Sequence, residues 1–269
     1  MNRRGIILCL VALCVAVGGF AWIWLGSHGP TYQGKPLSVW MDEWDHYLLA
    51  KPNSPDWTRR EQARAAIGHI GTDALPTLLR LAGAQDSALK TKFIKLANKQ
   101  HFMRLRLHPA HYYHARATYG FSALGPAAKP AVPALTTLLR SKDPQVRASA
   151  AQCLSLIGPE AEEAVPALIQ ILNEEKPENA LVVMNSMLAL GNIHTEPETV
   201  IPVLLQYVNG SRASWNISVY AMGPLGRYRE KAKSAVPAIL PLLNDPDSSV
   251  RSSADSALCL IGYRSDSRK

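Results

Sequence analysis

Apolar residues recur in this chain at the spacing of α-helices, in a pattern that ends at a glycine six times. The position eight residues before each glycine is usually small, and those four and one before it are apolar. Steps of four and three residues lie on one face of a helix. The glycines are Gly71, Gly125, Gly158, Gly191, Gly226 and Gly262. The pattern predicts six helices that bury this face and end at their glycine.

A second helix is predicted after five of the six glycines. A proline lies near its start, and apolar residues follow two and five positions later. Proline suits the first turn of a helix because amides there have no intrahelical partner. The prolines are Pro76, Pro133, Pro166, Pro202 and Pro237, and Pro241 predicts a kink one turn later. Apart from a longer first interval they recur about every 35 residues, which predicts a stack of two-helix units.

The segment from Arg147 to Leu168, with the preceding turn from Asp143, resembles bacterial HEAT repeats of the type grouped with the phycobilisome lyases. The resemblance covers about residues 58–269. It implies an all-α fold, a right-handed α-α superhelix of the HEAT/armadillo type, with about five to six helix pairs.

An arginine often stands eleven residues before the glycine in repeats of this family. Here only Arg60, Arg147 and Arg251 occupy that register, and His114, Ala180 and Trp215 stand in the other copies. The resemblance therefore implies at most a partial ladder of arginine–aspartate pairs.

The N-terminus carries an uncharged apolar run, residues 6–25, behind Arg3 and Arg4. Twenty residues at 1.5 Å each match the thickness of a bilayer core. We predict a transmembrane signal anchor over residues 1–27, with the N-terminus cytoplasmic and the body outside the cytoplasm. A signal peptide cleaved near Gly19 stays an alternative, and it would release a secreted body.

Residues 28–57 are predicted to form a capping helix and a loop before the repeat array, residues 58–269. Ser38 is expected to cap this helix, whose apolar residues are Trp40, Trp44, Tyr47 and Leu48. A capping box over residues 58–61 is expected to begin the first repeat helix. The alternative interpretation of this helix is a tryptophan-lined platform for a ligand instead of a terminal cap.

Positive charge is concentrated in one part of the chain. The net charge is +8, and residues 87–142 hold ten Lys or Arg and no acidic residue. Most of these cations lie in a basic insert at about residues 85–114, which lengthens the first interval: Lys90, Lys92, Lys95, Lys99, Arg104 and Arg106. The insert predicts either a docking surface for an anionic polymer, lipid, nucleic acid or acidic protein, or a solvated edge. A location outside the cytoplasm disfavours nucleic acid.

Three histidines within the insert region, His108, His111 and His114, are weak candidates for a metal site. His111 and His114 would share a helix face, and His108 would lie outside it. No Cys, Asp or Glu is close in sequence to complete a ligand set, so we predict no metal and no cofactor.

No catalytic residue is predicted. The chain has no glycine-rich phosphate loop, no nucleophile elbow and no paired carboxylates, and it lacks the His-Glu pairs of metal-binding HEAT hydroxylases. Bilin lyases share this repeat type, so a lyase-type accessory enzyme is kept as a less favoured alternative.

The sequence predicts a non-enzymatic scaffold or adaptor that binds another protein through the surface of its repeats. Trp215, Tyr220 and Tyr228 are candidate contact residues because Trp, Tyr and Arg are enriched at interface hot spots. Nothing in the sequence indicates the identity of the partner or the oligomeric state.

Overall fold

The computed structural model describes residues 29–46, 49–87, 91–92, 108–175, 177–208 and 215–263. The predicted N-terminal anchor lies outside the described residues. Within the described residues, no helix combines the length and the apolar character that a membrane span needs. The chain divides into two compact units, Met1–Thr77 and Leu78–Lys269.

The described part of the first unit begins with a small antiparallel hairpin that was not predicted from the sequence. Strand β1, Thr31–Tyr32, pairs with β2, Lys35–Pro36. Gln33 and Gly34 connect them with φ angles of 49° and 73°. Two successive positive φ angles are typical of the tight turns that suit the twist of a hairpin.

Helix α1, Leu37–His46, follows the hairpin directly and packs on α2, Pro55–Ile70. The prediction that Ser38 caps α1 is wrong, because the helix begins one residue earlier. The Leu37 amide donates instead to the Pro30 carbonyl at 2.9 Å. Trp40 and Trp44 are buried, so they belong to the core of this unit and form no ligand platform.

Helix α2 begins earlier than the predicted capping box. Ser54 is its N-cap, and the Ser54 hydroxyl accepts the Trp57 amide at 3.2 Å. Pro55 occupies the first helical position, where a missing amide costs nothing. Thr58, the predicted cap, therefore lies one turn inside the helix.

The remaining helices follow in pairs, most of them joined by short 3-10 turns. Their bounds are α3 Leu75–Ala82, α4 Ala110–Leu124, α5 Val132–Leu138, α6 Pro144–Ile157, α7 Val165–Glu174, α8 Ala180–Ile193, α9 Pro197–Val208, α10 Trp215–Arg227, α11 Val236–Ile239 and α12 Ser248–Ile261. In the second unit α4, α6, α8, α10 and α12 contact one another in succession and form one layer. The part of the chain that the structure describes is thus a helical-repeat fold preceded by the small hairpin.

The predicted core positions are confirmed. Every residue eight, four or one position before the six glycines is buried, with at most 8% of its surface exposed. The apolar residue two positions after each proline is completely buried in all five copies. The residue five positions after the proline is only half-buried at Leu81, Leu138 and Leu242, so that position lies at the border of the core.

Four of the six glycines end a helix as predicted. Gly71, Gly125, Gly158 and Gly262 have φ angles of 63°, 52°, 76° and 88°. These values favour glycine because it lacks a Cβ.

Gly191 and Gly226 behave differently, because both lie inside their helices. A Cβ at Gly191 would lie 2.7 Å from Pro224 Cα, and one at Gly226 would lie 3.0 Å from Leu260 Cδ1. These two glycines allow the first helices of successive helix pairs to approach closely. The prediction that these glycines end their helices is therefore wrong. Helix α8 ends instead at His194, which adopts a left-handed conformation with φ 58°.

Two asparagines of α8 connect it to α6. The Asn185 side chain donates to the Ala148 carbonyl at 2.9 Å. The Asn192 side chain donates to the Ser155 carbonyl at 3.2 Å and to its hydroxyl at 2.7 Å. The two asparagines are seven residues apart, so they lie on one face of α8 and fix its position along α6.

Pro241 has the predicted effect on the last second helix. Helix α11 spans only Val236–Ile239 and continues as a 3-10 helix over Leu240–Asn244. A proline at this point removes one amide donor and favours the tighter turn.

Candidate interaction surface

Within the basic insert, the structure describes residues 85–87, 91–92 and 108–114. Of its six candidate cations, Lys92 is described and exposed, whereas Lys90, Lys95, Lys99, Arg104 and Arg106 lie outside the described residues. The two ends are held together, since the Asp86 carboxylate accepts the Ala110 amide at 2.9 Å.

The three histidines lie in different environments. His114 is 8% exposed, and its Nε2 lies 2.8 Å from the Ala84 carbonyl, which can only accept, so Nε2 carries the proton. Burial lowers the pKa of His114 below its ordinary value. His111 is exposed, and the His108 ring stacks on Tyr112 at 3.9 Å. No group of three metal-ligating side chains forms among the described residues.

Aromatic and basic side chains cluster at the start of α4. The Tyr113 ring meets the Tyr112 ring edge-on at 5.6 Å. The Arg116 guanidinium donates to the Tyr112 hydroxyl at 2.9 Å, and the Tyr112 ring stacks on the His108 ring. These groups bind one another, so their contacts stabilise the return of the chain into α4.

The candidate hot-spot residues divide between surface and core. Trp215 is the first residue of α10, and its side chain lies outside the described residues. Tyr220 is exposed. Tyr228 is buried, and its hydroxyl oxygen lies 2.9 Å from the Thr195 carbonyl and 3.1 Å from the Leu190 carbonyl, which share its single O–H donor. Burial also raises the pKa of the Tyr228 hydroxyl. Its interpretation as a contact residue is therefore wrong.

Arg147 makes a bidentate ion pair with Glu175. Its Nε and Nη2 lie 2.8 and 2.9 Å from the two carboxylate oxygens, and the side chains are 15% and 8% exposed. Arg147 Nη1 also donates to the carbonyls of Ser141 at 2.7 Å and Lys142 at 3.2 Å. The Asn179 amide adds a bond to Glu175 at 2.7 Å. Charge-assisted bidentate contacts of this kind are among the strongest polar contacts in proteins.

Arg251 repeats part of this arrangement at the end of the array. Its Nη1 donates to the carbonyls of Asp245 at 2.8 Å and Pro246 at 2.9 Å. In both copies the arginine therefore fixes the turn that precedes its own helix. The arginines stand at a recognisable register of the sequence, whereas no sequence signal marks Glu175, which lies in the turn that leads to the next helix pair.

A surface groove of about 330 Å³ lies between the end of α5 and one side of α7. Leu139 and Ile171 are buried at its base, and Ala167 is half-buried beside them. The Arg147–Glu175 pair forms part of its polar wall. No sequence motif marks this groove, because residues from two successive helix pairs form it.

The groove also presents charged and polar side chains to solvent. Arg140 lies on the α5 side, and Gln170 and Glu174 lie on the α7 side. The Gln170 amide donates to one Glu174 oxygen at 3.0 Å. The lining thus combines an apolar base with donors and acceptors of both charges.

Family models described as HEAT repeats match this chain over most of the second unit. One matches residues 116–180 and 132–223, and another, described as a HEAT repeat, matches residues 235–263. No curated protein shows significant similarity to the chain.

Three solved structures are similar to this chain at low sequence identity. An engineered protein is 19% identical with a TM-score of 0.41, and the match covers 82% of this chain and 96% of that one. A second engineered protein is 19% identical with a TM-score of 0.42, covering 84% and 68%. A computationally designed armadillo repeat protein for modular peptide recognition is 15% identical with a TM-score of 0.42, covering 83% and 99%. At these values the likeness carries no information on function.

Proposed function

We propose that this chain, which contains HEAT repeats over residues 116–223 and 235–263, is a scaffold that binds another protein through its repeat surface. The observation that carries the proposal is that the two faces of the helix pairs differ. The repeated apolar positions are buried in the core, whereas the second helices expose a face of varied side chains to solvent. Rigid faces of stacked repeats select partners by shape and by side-chain complementarity.

The proposed activity requires no covalent step. Three chemically distinctive side chains make structural contacts: His114 with Ala84, Tyr228 with Leu190, and Arg147 with Glu175. A lyase-type accessory activity rests on the likeness of the repeats alone, and fold likeness is a weak basis for an activity.

The proposed location is outside the cytoplasm, with the body held at the membrane by the apolar run of residues 6–25. Its length and the preceding arginines support an anchor. If the anchor is retained, the full-length protein stays in the membrane fraction after alkaline carbonate extraction. Recovery of a soluble body that lacks these residues would instead indicate a cleaved signal peptide.

The second candidate function is binding of an anionic polymer or lipid through the basic insert. The absence of any acidic residue over residues 87–142 favours it. The measurement is retention of the full-length protein on a polyanion resin at several salt concentrations. Neutralising Lys90, Lys92, Lys95 and Lys99 should reduce the salt dependence if this function holds. Unchanged retention would exclude the insert as the binding element.

The scaffold proposal is tested by affinity purification of the full-length protein from its native membranes. We expect one or a few proteins to co-purify in stoichiometric amounts and to recover this chain in the reciprocal experiment. A preparation free of stoichiometric partners would contradict the proposal.

A further inference from the structure

We propose that the outer face of α8, α10 and α12 pairs with the same face of a second copy of this chain. The outer face is the side of these first helices that is turned away from their buried positions. It is defined by Leu181 and Leu188 of α8, Tyr220 of α10 and Cys259 of α12, all of which are exposed. This pairing goes beyond the proposed scaffold function, which uses the face of the second helices.

Exposed apolar side chains are concentrated in this region of the second unit. Among the described residues seven large apolar side chains are exposed, and five of these lie on α8, α10 or α12 or directly after α12. They have 36–48% of their surface in solvent: Leu181, Leu188, Tyr220, Leu260 and Tyr263. The three helices are successive neighbours in one layer, so these side chains are not scattered over the surface. Exposed apolar regions of this kind mark interaction sites.

The outer face also lacks charge. Helix α8 has no charged residue, and α10 has none before its last residue, Arg227. The exposed side chains that continue the face on α12 are Ser252, Ser256 and Cys259. The charged residues of α12, Arg251 and Asp255, lie at the border of the face. The solvent side of a helix ordinarily carries charged residues, whereas depletion of charge is typical of the centre of a protein interface.

A second copy matches this face because the groups on it are complementary to themselves. When a charged face meets its own copy, like charges come together, and an uncharged face avoids this cost. A hydroxyl group both donates and accepts hydrogen bonds, so Tyr220, Ser252 and Ser256 can each bond to a group of the same kind. Two-fold symmetry, in which a surface meets itself, is the commonest arrangement of soluble oligomers.

Other occupants match the outer face less well. Helices that lie on a lipid surface carry Lys or Arg beside their apolar face, and these bind anionic head groups. Helix α8 has no such residue, and Arg227 is the single cation of α10. A charged protein would find no opposite charge on this face, which therefore gives it neither steering nor specificity.

The size of the outer face is sufficient for a specific contact. The three helices have 13 or 14 residues each, which corresponds to a length of about 20 Å. Three neighbouring helix axes at a spacing of about 8–10 Å give a width of about 25–30 Å. A footprint of roughly 500–600 Å² on each copy corresponds to about 1,000–1,200 Å² buried in total, which is the lower limit for specific interfaces.

Tyr220 lies at the centre of the outer face. Helix α10 is the middle helix of the three, and Tyr220 is the sixth of its 13 residues. A two-fold axis that brings the face onto itself passes through this centre, so Tyr220 lies close to Tyr220 of the second copy. Tyrosine is enriched among the residues that contribute most to binding, and aromatic rings stabilise one another in pairs.

Charge substitutions at Tyr220 test the pairing. Sedimentation velocity of the full-length protein in detergent, at several protein concentrations, measures its mass. Tyr220→Glu and Tyr220→Lys each place like charges at the centre of the proposed contact. The matched controls are Gln206→Glu and Gln206→Lys, which place the same charges at an exposed position of α9 in the layer of second helices. Circular dichroism melting of all four variants confirms that they keep the wild-type fold.

We expect the wild-type protein and both Gln206 variants to be dimeric at micromolar concentration. Each Tyr220 variant should raise the dissociation constant of the dimer at least about hundredfold, because like charges then face each other. An equimolar mixture of Tyr220→Glu and Tyr220→Lys should recover the dimer, since opposite charges then meet. A monomeric wild-type protein, a dimer that persists in both Tyr220 variants, or a mixture that stays monomeric would overturn the inference.

A different occupant would give a different set of results. If a monomeric chain loses a co-purified protein on Tyr220→Glu, the outer face binds that protein and the pairing is wrong. If a monomeric chain binds vesicles of phosphatidylcholine and phosphatidylglycerol, and the same variant does not, the face binds lipid and the pairing is also wrong.

The failure of the pairing is separable from that of the scaffold proposal. If the wild-type protein is monomeric and a partner co-purifies with it and with Tyr220→Glu, the pairing fails and the scaffold proposal stands. A dimer that is lost in both Tyr220 variants and co-purifies with no other protein would support the pairing and contradict the scaffold proposal.

Discussion

Arg147 joins segments of the chain that are distant in sequence. It contacts the turn before α6 through two carbonyls, and it contacts the turn after α7 through Glu175. Because both side chains are largely removed from water, removal of either partner leaves the other without its main electrostatic compensation.

Replacement of Arg147 by Met should lower the free energy of unfolding by about 2–4 kcal/mol. Urea denaturation followed by circular dichroism measures this change. The matched control is Lys129→Met, which breaks the exposed pair with Glu160 at 2.8 Å and should leave the midpoint unchanged. Equal effects of the two substitutions would contradict the structural role of Arg147.

His114 makes stability depend on pH. Its pKa is lowered by burial from the ordinary value of 6.5, so the folded state favours the neutral ring. Its contribution is present above pH 6.5 and is lost as the pH falls through the lower folded-state pKa.

The urea midpoint of the wild-type protein should therefore decrease between about pH 7 and pH 5. His114→Gln keeps a donor for the Ala84 carbonyl and cannot acquire a proton in this range, so its midpoint should decrease less. A steeper decrease in the variant would contradict this origin of the pH dependence.

At the scale of elements, glycines with the same sequence register have two structural roles. Gly158 ends its helix with a positive φ, whereas Gly191 continues α8 and lies against Pro224. Gly223 lies in α10 directly before Pro224, and a Cβ there would meet nothing within 4 Å apart from its chain neighbours. The repeated sequence pattern thus determines which face of each helix is buried. Contacts with the neighbouring helix determine whether the glycine ends its helix or allows a close approach.

Gly191→Ala should destabilise the protein by about 1–3 kcal/mol, because the new methyl group would overlap the backbone of α10. Gly223→Ala should have a smaller effect, because the better helix propensity of alanine is opposed by crowding between its Cβ and the ring of Pro224. Thermal unfolding of both variants measures the difference. The account of close helix approach is wrong if Gly191→Ala lowers the melting temperature no more than Gly223→Ala does.

The limits of prediction from sequence are clearest at the element boundaries. The core face of the first helix in each pair could be predicted because burial there follows a fixed period. Ser38 could not be excluded as a cap, since the start of its helix depends on the contact of Leu37 with Pro30. Thr58 could have been excluded, because Ser54 followed by Pro55 is a local signal for an earlier helix start. The Arg147–Glu175 pair and the groove beside it also depend on residues 28 positions apart, which periodicity does not relate.

At the scale of the whole molecule, two surfaces compete for the function. The charged residues that line the groove beside α7 sum to zero, whereas the basic insert carries a large positive charge. If the insert carries the function, binding should weaken steeply with salt, and if the groove carries it, binding should depend mainly on apolar contact.

The central claim is that the repeat surface binds another protein, and site-specific photocrosslinking in growing cells tests it most directly. A photoreactive residue replaces Ala167 or Gln170 beside the groove, and Leu188 or Tyr220 on the layer of first helices. We predict a discrete adduct with one protein from the groove positions. Absence of a protein adduct at all four positions, in cells that contain the full-length chain, would contradict the claim.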